Sequence, residues 1–184
     1  KAESRGLGDV YKRQGMMSLT GYEGHPPVRV GSSIGDITAG LFTVIGIQAA
    51  LFNRTISKKG SHIDISMLDC QIAILENAIS RFYSEKKIPK KLGSRHPSIS
   101  PFEAYKCKDN YIVVAAGNDN LFEKFCDCLN IKLLLANNDF NKNDKRLKNA
   151  EKLKVIIEKA LKKNNANYWI KKLEKFGVPV GKVN

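Results

Sequence analysis

Residues 32–69 read SSIGDITAGLFTVIGIQAALFNRTISKKGSHIDISMLD and decide the fold class of the chain. Apolar residues recur here every three or four positions, which predicts a long helix from about Ile37 to Ser57. The following Ser61–Met67 alternates polar and apolar residues, as a half-buried strand does, and a second helix is predicted over Leu68–Glu85. Helix, strand and helix in this order predict an α/β layer with a parallel sheet.

The rest of the chain predicts a smaller α+β unit. Residues 86–100, KKIPKKLGSRHPSIS, are rich in proline and lysine, which predicts a linker or an active-site loop. Two apolar runs joined by a short Lys-Asp-Asn turn then predict a hairpin over residues 102–116, and three helices are predicted beyond it. The predicted domains are therefore residues 15–85 as part of a larger α/β domain, the linker, and a small domain over residues 101–184. Residues 1–14, KAESRGLGDVYKRQ, have no periodicity and are interpreted as artefactual or disordered sequence.

Composition excludes few functions. The chain has 184 residues and a formal net charge of +13, with 31 Lys and Arg against 18 Asp and Glu. The basic residues are scattered, so solvated surface is favoured over an anionic small-molecule partner, and nucleic acid is least favoured. The longest apolar stretch, Ile37–Phe52, is expected to be too short and too polar to span a membrane. The cysteines follow neither disulfide nor zinc spacing, so a reduced, cytoplasmic protein without a metal site is expected.

Asp36 lies where a loop turns into the long helix, and two interpretations follow from that position. A carboxylate there can cap free backbone N–H groups and is stabilised by the helix dipole. Alternatively, it can act as a nucleophile, which needs an ionised carboxylate with a free oxygen and small neighbours that let a bulky substrate approach. Gly35, Thr38, Ala39 and Gly40 provide that clearance, as many unrelated loops would. The residues alone leave both interpretations open.

Four blocks of sequence resemble the CoA-transferases of family III, the group that contains formyl-CoA and carnitine CoA-transferases and the α-methylacyl-CoA racemases. The resemblance extends from about Gly15 to Asn184, and the blocks follow one another in the family's order. They are GYEGHPPVRVGSSIGDITAGLFTVIGIQAALFNRTISKKGSHIDISMLD (21–69), GSRHPSISPFEAYKCKDNYIVVAAGNDNLFEKFC (93–126), NDKRLKNAEKL (143–153) and YWIKKLEKFGVPVGKVN (168–184).

The resemblance implies a reaction and an assembly. In the family, the aspartate of the GD-x-x-x-G block is the nucleophile, and it falls on Asp36. It would attack an acyl-CoA thioester to give a mixed anhydride and then an aspartyl-CoA thioester, from which an acceptor carboxylate takes the coenzyme A. Coenzyme A enters with the substrate, and no separate cofactor is implied. Family members form interlocked homodimers with a Rossmann-like large domain, so the chain is interpreted as an internal fragment of that fold, inactive alone.

Arg95 and His96 are the candidate substrate-binding residues. They lie in GSRHPS, where some transferases carry a glycine-rich loop over the site, but this sequence has no such glycine run. Arg95 can pair with an acceptor carboxylate because a guanidinium binds it with two hydrogen bonds. His96 can orient or protonate a group near the thioester. The alternative is a solvated loop in which Pro97 restricts His96.

Two other functions stay open at this point. A racemase of the same family would use carboxylate and histidine acid–base chemistry at an α-carbon, and hydrogen exchange there without an acceptor acid distinguishes it. A non-catalytic basic module would retain nucleic acid with a steep salt dependence. Transfer of coenzyme A to a small carboxylic acid is favoured, because SSIGDITAG resembles the transferases more than the racemases.

Overall fold

The computed structural model describes residues 15–183, so the interpretation of residues 1–14 lies outside the described residues. The chain divides into two compact units, one up to Gly93 and the other from Ser94 onwards. Helices and a three-stranded sheet are both present, which confirms the mixed helix-and-strand class. The sheet is antiparallel and belongs to the second unit.

The described part of the first unit is helical. Its helices are α1 (Met16–Leu19), α2 (Ile34–Ser57), α3 (Met67–Ala73) and α4 (Glu76–Glu85). The long helix α2 therefore begins earlier than its apolar periodicity predicts. It ends at Lys58, which adopts a left-handed φ of 58° and donates its N–H to the Arg54 carbonyl. Ser66 caps α3, because its hydroxyl accepts a hydrogen bond from the N–H of Asp69 at 3.2 Å.

The segment between α2 and α3 keeps the predicted alternation but forms no strand. Ile63 and Ile65 are half-buried between exposed neighbours. Both lie against Gly46 of α2, where a Cβ would be 3.2 Å from Ile63 and 3.6 Å from Ile65. A strand also needs a hydrogen-bonded neighbour, and residues 15–183 supply none for this segment. The predicted helix over Leu68–Glu85 is likewise interrupted between α3 and α4.

An apolar surface runs along α2 and remains exposed. Its exposed large side chains are Ile37, Leu41, Val44, Ile45, Ile47, Leu51, Phe52 and Ile56. The helix has 24 residues and a mean hydropathy of 1.6 over its most apolar window, so by length and composition it could cross a membrane. The expectation that this stretch is too short and too polar for a span is therefore wrong. Core helices of soluble proteins share both properties, and one such helix is weak evidence for a membrane protein.

The second unit combines a small sheet with five described helices. Its strands β1 (Phe102–Lys106), β2 (Tyr111–Ala115) and β3 (Val180–Lys182) are antiparallel in the order β1-β2-β3. Phe102 pairs with Ala115, which confirms the predicted hairpin, and the predicted C-terminal turn adds a third strand through Val114 and Val180. The helices are α5 (Asp119–Leu129), α6 (Leu133–Ala136), α7 (Asn143–Lys148), α8 (Ala150–Leu161) and α9 (Ala166–Lys175).

The core of the second unit lies between the sheet and its helices. Alternate strand residues point inward, and α8 and α9 pack against the strands. Large apolar side chains of this core include Tyr105, Ile112, Val114, Phe122, Phe125, Leu153, Ile157, Leu161, Trp169 and Leu173. The indole Nε1 of Trp169 donates a hydrogen bond to the Leu161 carbonyl at 2.7 Å, so its single polar atom is satisfied.

Arg146 of α7 is fully buried in the second unit. Its guanidinium lies over the Phe122 ring, 4.3 Å from the centroid. Its three nitrogens donate hydrogen bonds of 2.7–3.2 Å to the carbonyls of Ser100, Phe140 and Gly117 and to Oδ1 of Asp119. One side chain therefore joins the end of the loop before β1 to the start of α5 and to the segment before α7.

Replacing Arg146 by methionine is expected to destabilise the second unit by about 3–5 kcal/mol, because three carbonyls lose their donor and two of these hydrogen bonds are buried. Urea unfolding followed by fluorescence of Trp169, the only tryptophan of the chain, measures this loss. Lys148→Met in the same helix is the control, since Lys148 is exposed and should change stability by less than about 0.5 kcal/mol. Equal effects of the two substitutions would contradict the role given to Arg146.

Asp119 predicts a pH-dependent contribution to stability. The hydrogen bond from the Arg146 guanidinium lowers the pKa of the Asp119 carboxyl below its usual range. A lowered folded-state pKa stabilises the fold above the unfolded-state pKa of about 4, and this stabilisation is lost as the pH falls through the folded-state pKa. Asp119→Asn should therefore lower stability at pH 7 by less than about 1 kcal/mol, since the carboxylate is half exposed. Urea midpoints of the two proteins should converge in acid; a gap that is constant with pH would contradict the assignment.

Candidate functional site

Asp36 lies in the first turn of α2, which is the most tightly packed part of the first unit. Among the side chains described in that unit, the buried ones are Gly35 and Thr38 on α2 and Cys70 and Gln71 on α3. The Thr38 hydroxyl donates to the carbonyls of Ile34 at 2.7 Å and Gly35 at 3.1 Å, which ties the turn together. Asp36 itself is exposed. Its neighbours are thus held in place while the carboxylate remains accessible.

No side chain caps the beginning of α2. Ser33 occupies the cap position, but its hydroxyl makes no capping hydrogen bond. The N–H of Ile37 reaches the Ser33 carbonyl, whereas those of Gly35 and Asp36 have no acceptor within the described chain. The Asp36 carboxylate has neither a hydrogen-bond nor an ion-pair partner among residues 15–183. An unpaired and exposed carboxylate meets the requirement for a nucleophile, and no hydrogen bond supports the capping interpretation.

Gln71 is a polar residue of this turn that the sequence reasoning missed. Its side chain is fully buried, and neither Nε2 nor Oε1 has a hydrogen-bond partner in the described chain. The carboxamide packs on Gly35, where a Cβ would lie 2.5 Å from Nε2, closer than real Cβ atoms come to any neighbour. A methyl group at position 35 would therefore force the carboxamide or the turn to shift. The available signal was a lone glutamine in the apolar run Cys70–Leu75.

Arg95 lies in the second unit, at the start of the loop before β1. Its Nη1 donates a hydrogen bond to Oε1 of Glu151 at 2.9 Å. The Glu151 side chain is 83% exposed, whereas that of Arg95 is 24% exposed. Exposed ion pairs of this kind contribute little stability, so a competing carboxylate can replace Glu151 at small cost.

His96, the next residue in this loop, is oriented by three contacts. Its ring stacks on Phe102 with centroids 5.2 Å apart and planes 5° from parallel. Its backbone N–H donates to the Phe102 carbonyl at 2.8 Å, and its Nδ1 accepts a hydrogen bond from the N–H of Ser98 at 3.1 Å. The structure thus places Arg95 and His96 in the second unit, while Asp36 belongs to the first.

The four cysteines are free and buried. Burial raises the pKa of the Cys107 thiol to about 11 and that of Cys126 to about 12, so both stay protonated at neutral pH. A protonated thiol is a poor nucleophile. In the part of the chain that the structure describes, no three His, Cys, Asp or Glu side chains are grouped so that they could hold a metal ion.

The hydrogen bond from Ser98 predicts the tautomer of His96. Because Nδ1 accepts a hydrogen bond from the N–H of Ser98, the neutral ring should carry its hydrogen on Nε2. Long-range ¹H–¹⁵N spectra of histidine-labelled protein should show a pyrrole-type Nε2 and a pyridine-type Nδ1 for this residue. Ser98→Pro removes the donor and should reduce the preference, whereas a protonated Nδ1 in the wild type would contradict the geometry.

The chain is similar to curated CoA-transferases. Acetyl-CoA:oxalate CoA-transferase of Acetobacter aceti is 39% identical over 173 residues, which are 94% of this chain and 44% of that protein. Human succinyl-CoA:glutarate CoA-transferase is 34% identical over 170 residues, 92% of this chain and 39% of that protein. The chain therefore spans less than half the length of these relatives.

Solved structures share the fold of this chain. A CAIB/BAIF family protein from Brucella suis aligns with a TM-score of 0.80 at 34% identity, over 95% of this chain and 46% of that one. Rv3272 from Mycobacterium tuberculosis aligns with a TM-score of 0.82 at 19% identity, over 96% of this chain and 46% of that one, and supports the fold alone. The sequence profile of CoA-transferase family III matches residues 1–184, and the chain belongs to that family.

Proposed function

We propose that the whole protein containing this chain transfers coenzyme A from an acyl-CoA to a small carboxylic acid, with Asp36 as the nucleophile. The observation that carries the proposal is the Asp36 carboxylate in the GD-x-x-x-G block, exposed and without a partner among the described residues, in a chain of this family. The names of the two similar transferases each pair a CoA donor with a dicarboxylate, so dicarboxylic acids are the first acceptors to test.

The proposed reaction proceeds through covalent intermediates on Asp36. A carboxylate oxygen of Asp36 attacks the thioester carbonyl, forming a C–O bond as the C–S bond breaks and CoA thiolate leaves. The thiolate then attacks the aspartyl carbonyl of this anhydride, which releases the donor acid and leaves an aspartyl-CoA thioester. The acceptor carboxylate displaces the thiolate to form a second anhydride. Attack of the thiolate on the acceptor's carbonyl gives the new acyl-CoA and regenerates Asp36.

Arg95 and His96 are proposed to bind substrate oxygens. The Arg95 guanidinium would exchange its exposed Glu151 partner for the acceptor carboxylate. His96 has its Nδ1 occupied by Ser98, which leaves the Nε2–H as its donor toward a substrate carbonyl or carboxylate. Stacking on Phe102 restricts the direction in which this ring can donate.

The whole protein is further proposed to act as an interlocked homodimer. The chain spans less than half the length of its curated relatives. Its helix α2 also exposes large apolar side chains along most of its length, and a surface of this kind is normally covered by protein. The remaining chain and a second copy would supply that cover, so the 184 residues alone are expected to be inactive.

Asp36→Ala is expected to reduce transfer by the whole protein at least about a thousand-fold, because the covalent route is lost. The protein is incubated with acetyl-CoA or succinyl-CoA and a panel of acids that includes oxalate and glutarate, and new thioesters are measured by mass spectrometry. Asp64→Ala is the control, since Asp64 is also an exposed aspartate of the first unit. Hydroxylamine added during turnover should leave a hydroxamate on Asp36.

Other outcomes would change the assignment. Transfer that persists in Asp36→Ala would show that another group is the nucleophile. Exchange of the α-hydrogen of an acyl-CoA with deuterated water, without an acceptor acid and without a hydroxamate, would favour a racemase of this family.

A further inference from the structure

The buried carboxamide of Gln71 is costly for the fold. Both of its polar atoms lack a partner within the described chain, and the residue is fully buried. A buried amide without hydrogen bonds destabilises a protein, whereas a methionine of similar size would fill the same space without that cost. Buried polar groups of this kind need an explanation other than packing, and functional sites are where proteins retain them.

The Gln71 amide lies against the beginning of α2. Nε2 is the side-chain atom nearest to the Cβ position of Gly35, at 2.5 Å, and Oε1 is farther away at 3.4 Å. The donor end of the amide therefore faces the turn whose N–H groups at Gly35 and Asp36 lack acceptors in the described chain. The start of a long helix carries partial positive charge, and the amide hydrogens add to it.

We infer that the first turn of α2 is an oxyanion-binding site and that Gln71 is the positioning residue that holds it. The site would take the carbonyl oxygen of the acyl or thioester group formed on Asp36. Gln71 lies beneath Gly35 and acts through it, since its own amide atoms are not exposed. This inference rests on the proposed function, because the oxygen that it concerns arises only during covalent transfer.

The chemistry of the proposed steps requires such a site. When thiolate or carboxylate adds to the aspartyl carbonyl, the C=O electron pair moves onto the oxygen, which becomes an alkoxide until the leaving group departs. Fixed N–H donors stabilise that developing charge without reorganising. A turn whose donors are already satisfied by a cap could not do so, and Ser33 leaves this one uncapped.

Gln71→Met separates this role from packing. In the whole protein we expect the substitution to lower kcat for transfer about ten-fold while KM changes less than about two-fold, because only the charged intermediates lose stabilisation. The urea midpoint should stay the same or rise, since an unpaired buried amide has been removed. Gln48→Met is the matched control: Gln48 is an exposed glutamine of α2, and its replacement should leave kcat unchanged.

Gly35→Ala tests the close approach by a second route. An added methyl group would lie 2.5 Å from Nε2 of the carboxamide, so the carboxamide and the turn must move apart and kcat should fall about 100-fold. Gly60→Ala is its control, because Gly60 is an exposed glycine of the first unit, beyond the end of α2, with nothing within 4 Å of its Cβ position. That protein should retain the wild-type kcat and be at least as stable.

Anion binding gives a readout that does not depend on turnover. In ¹⁵N-labelled Asp36→Asn whole protein, which lacks the repelling charge, oxalate should shift the backbone N–H resonances of positions 35 and 36 more than sodium chloride of equal ionic strength does. Gln71→Met in that background should weaken the shift. Selective oxalate shifts in Asp36→Asn, together with a wild-type protein that transfers no coenzyme A, would reject the proposed function and retain the oxyanion site.

Two results would overturn the inference while leaving the proposed function intact. One is transfer by Gln71→Met with unchanged kcat. The other is a loss of kcat that parallels a fall in the urea midpoint, with no selective oxalate shift at positions 35 and 36. Either would mean that Gln71 only fills space under the helix.

Discussion

The contact between the Gln71 carboxamide and Gly35 is the constraint on which the first unit depends. The buried residues described in that unit all belong to the first turn of α2 or to the part of α3 beneath it. A nucleophilic carboxylate has to be held in place and yet remain accessible to a large thioester. Here Gly35, which has no side chain, packs against Gln71 of α3. The next residue, Asp36, is exposed. The tightly packed residue, Gly35, and the exposed residue, Asp36, are thus adjacent in the chain.

In the second unit, hydrogen bonds from α7 hold the loop before β1 in place. Arg146 binds the carbonyl of Ser100 from inside the core. Asn143 binds the same loop from its edge, accepting from the N–H of Ser100 and donating to the carbonyl of Ser98. Ser98 in turn donates to His96. The ring of His96 is therefore oriented by a chain of hydrogen bonds that begins at α7, whose Arg146 is fully buried, and this is the kind of support that a substrate-binding group needs.

Sequence reasoning predicted the features that depend on local pattern. The helix that carries Asp36 and the hairpin of β1 and β2 follow from periodicity and a short turn, and the structure forms both. The strand predicted over Ser61–Met67 has the expected alternation of exposure, but pairing depends on a neighbouring strand that local pattern does not reveal. Gln71 was missed for the same reason, because its importance depends on its contact with Gly35, which is distant in the sequence. The residue roles of Arg95 and His96 stay predictions.

The exposed apolar face of α2 indicates that the site needs more of the protein than these 184 residues. In α2 only Gly35 and Thr38 are buried, and most of the later apolar side chains are exposed. Apolar surface of this extent is unfavourable in water, and a family member more than twice as long has the chain needed to cover it. Covering that face would also hold α2 along its axis, and so fix the turn at its beginning. Under the proposed function, the reactivity of Asp36 and the burial of the rest of α2 are parts of one requirement, which the local sequence around Asp36 does not meet by itself.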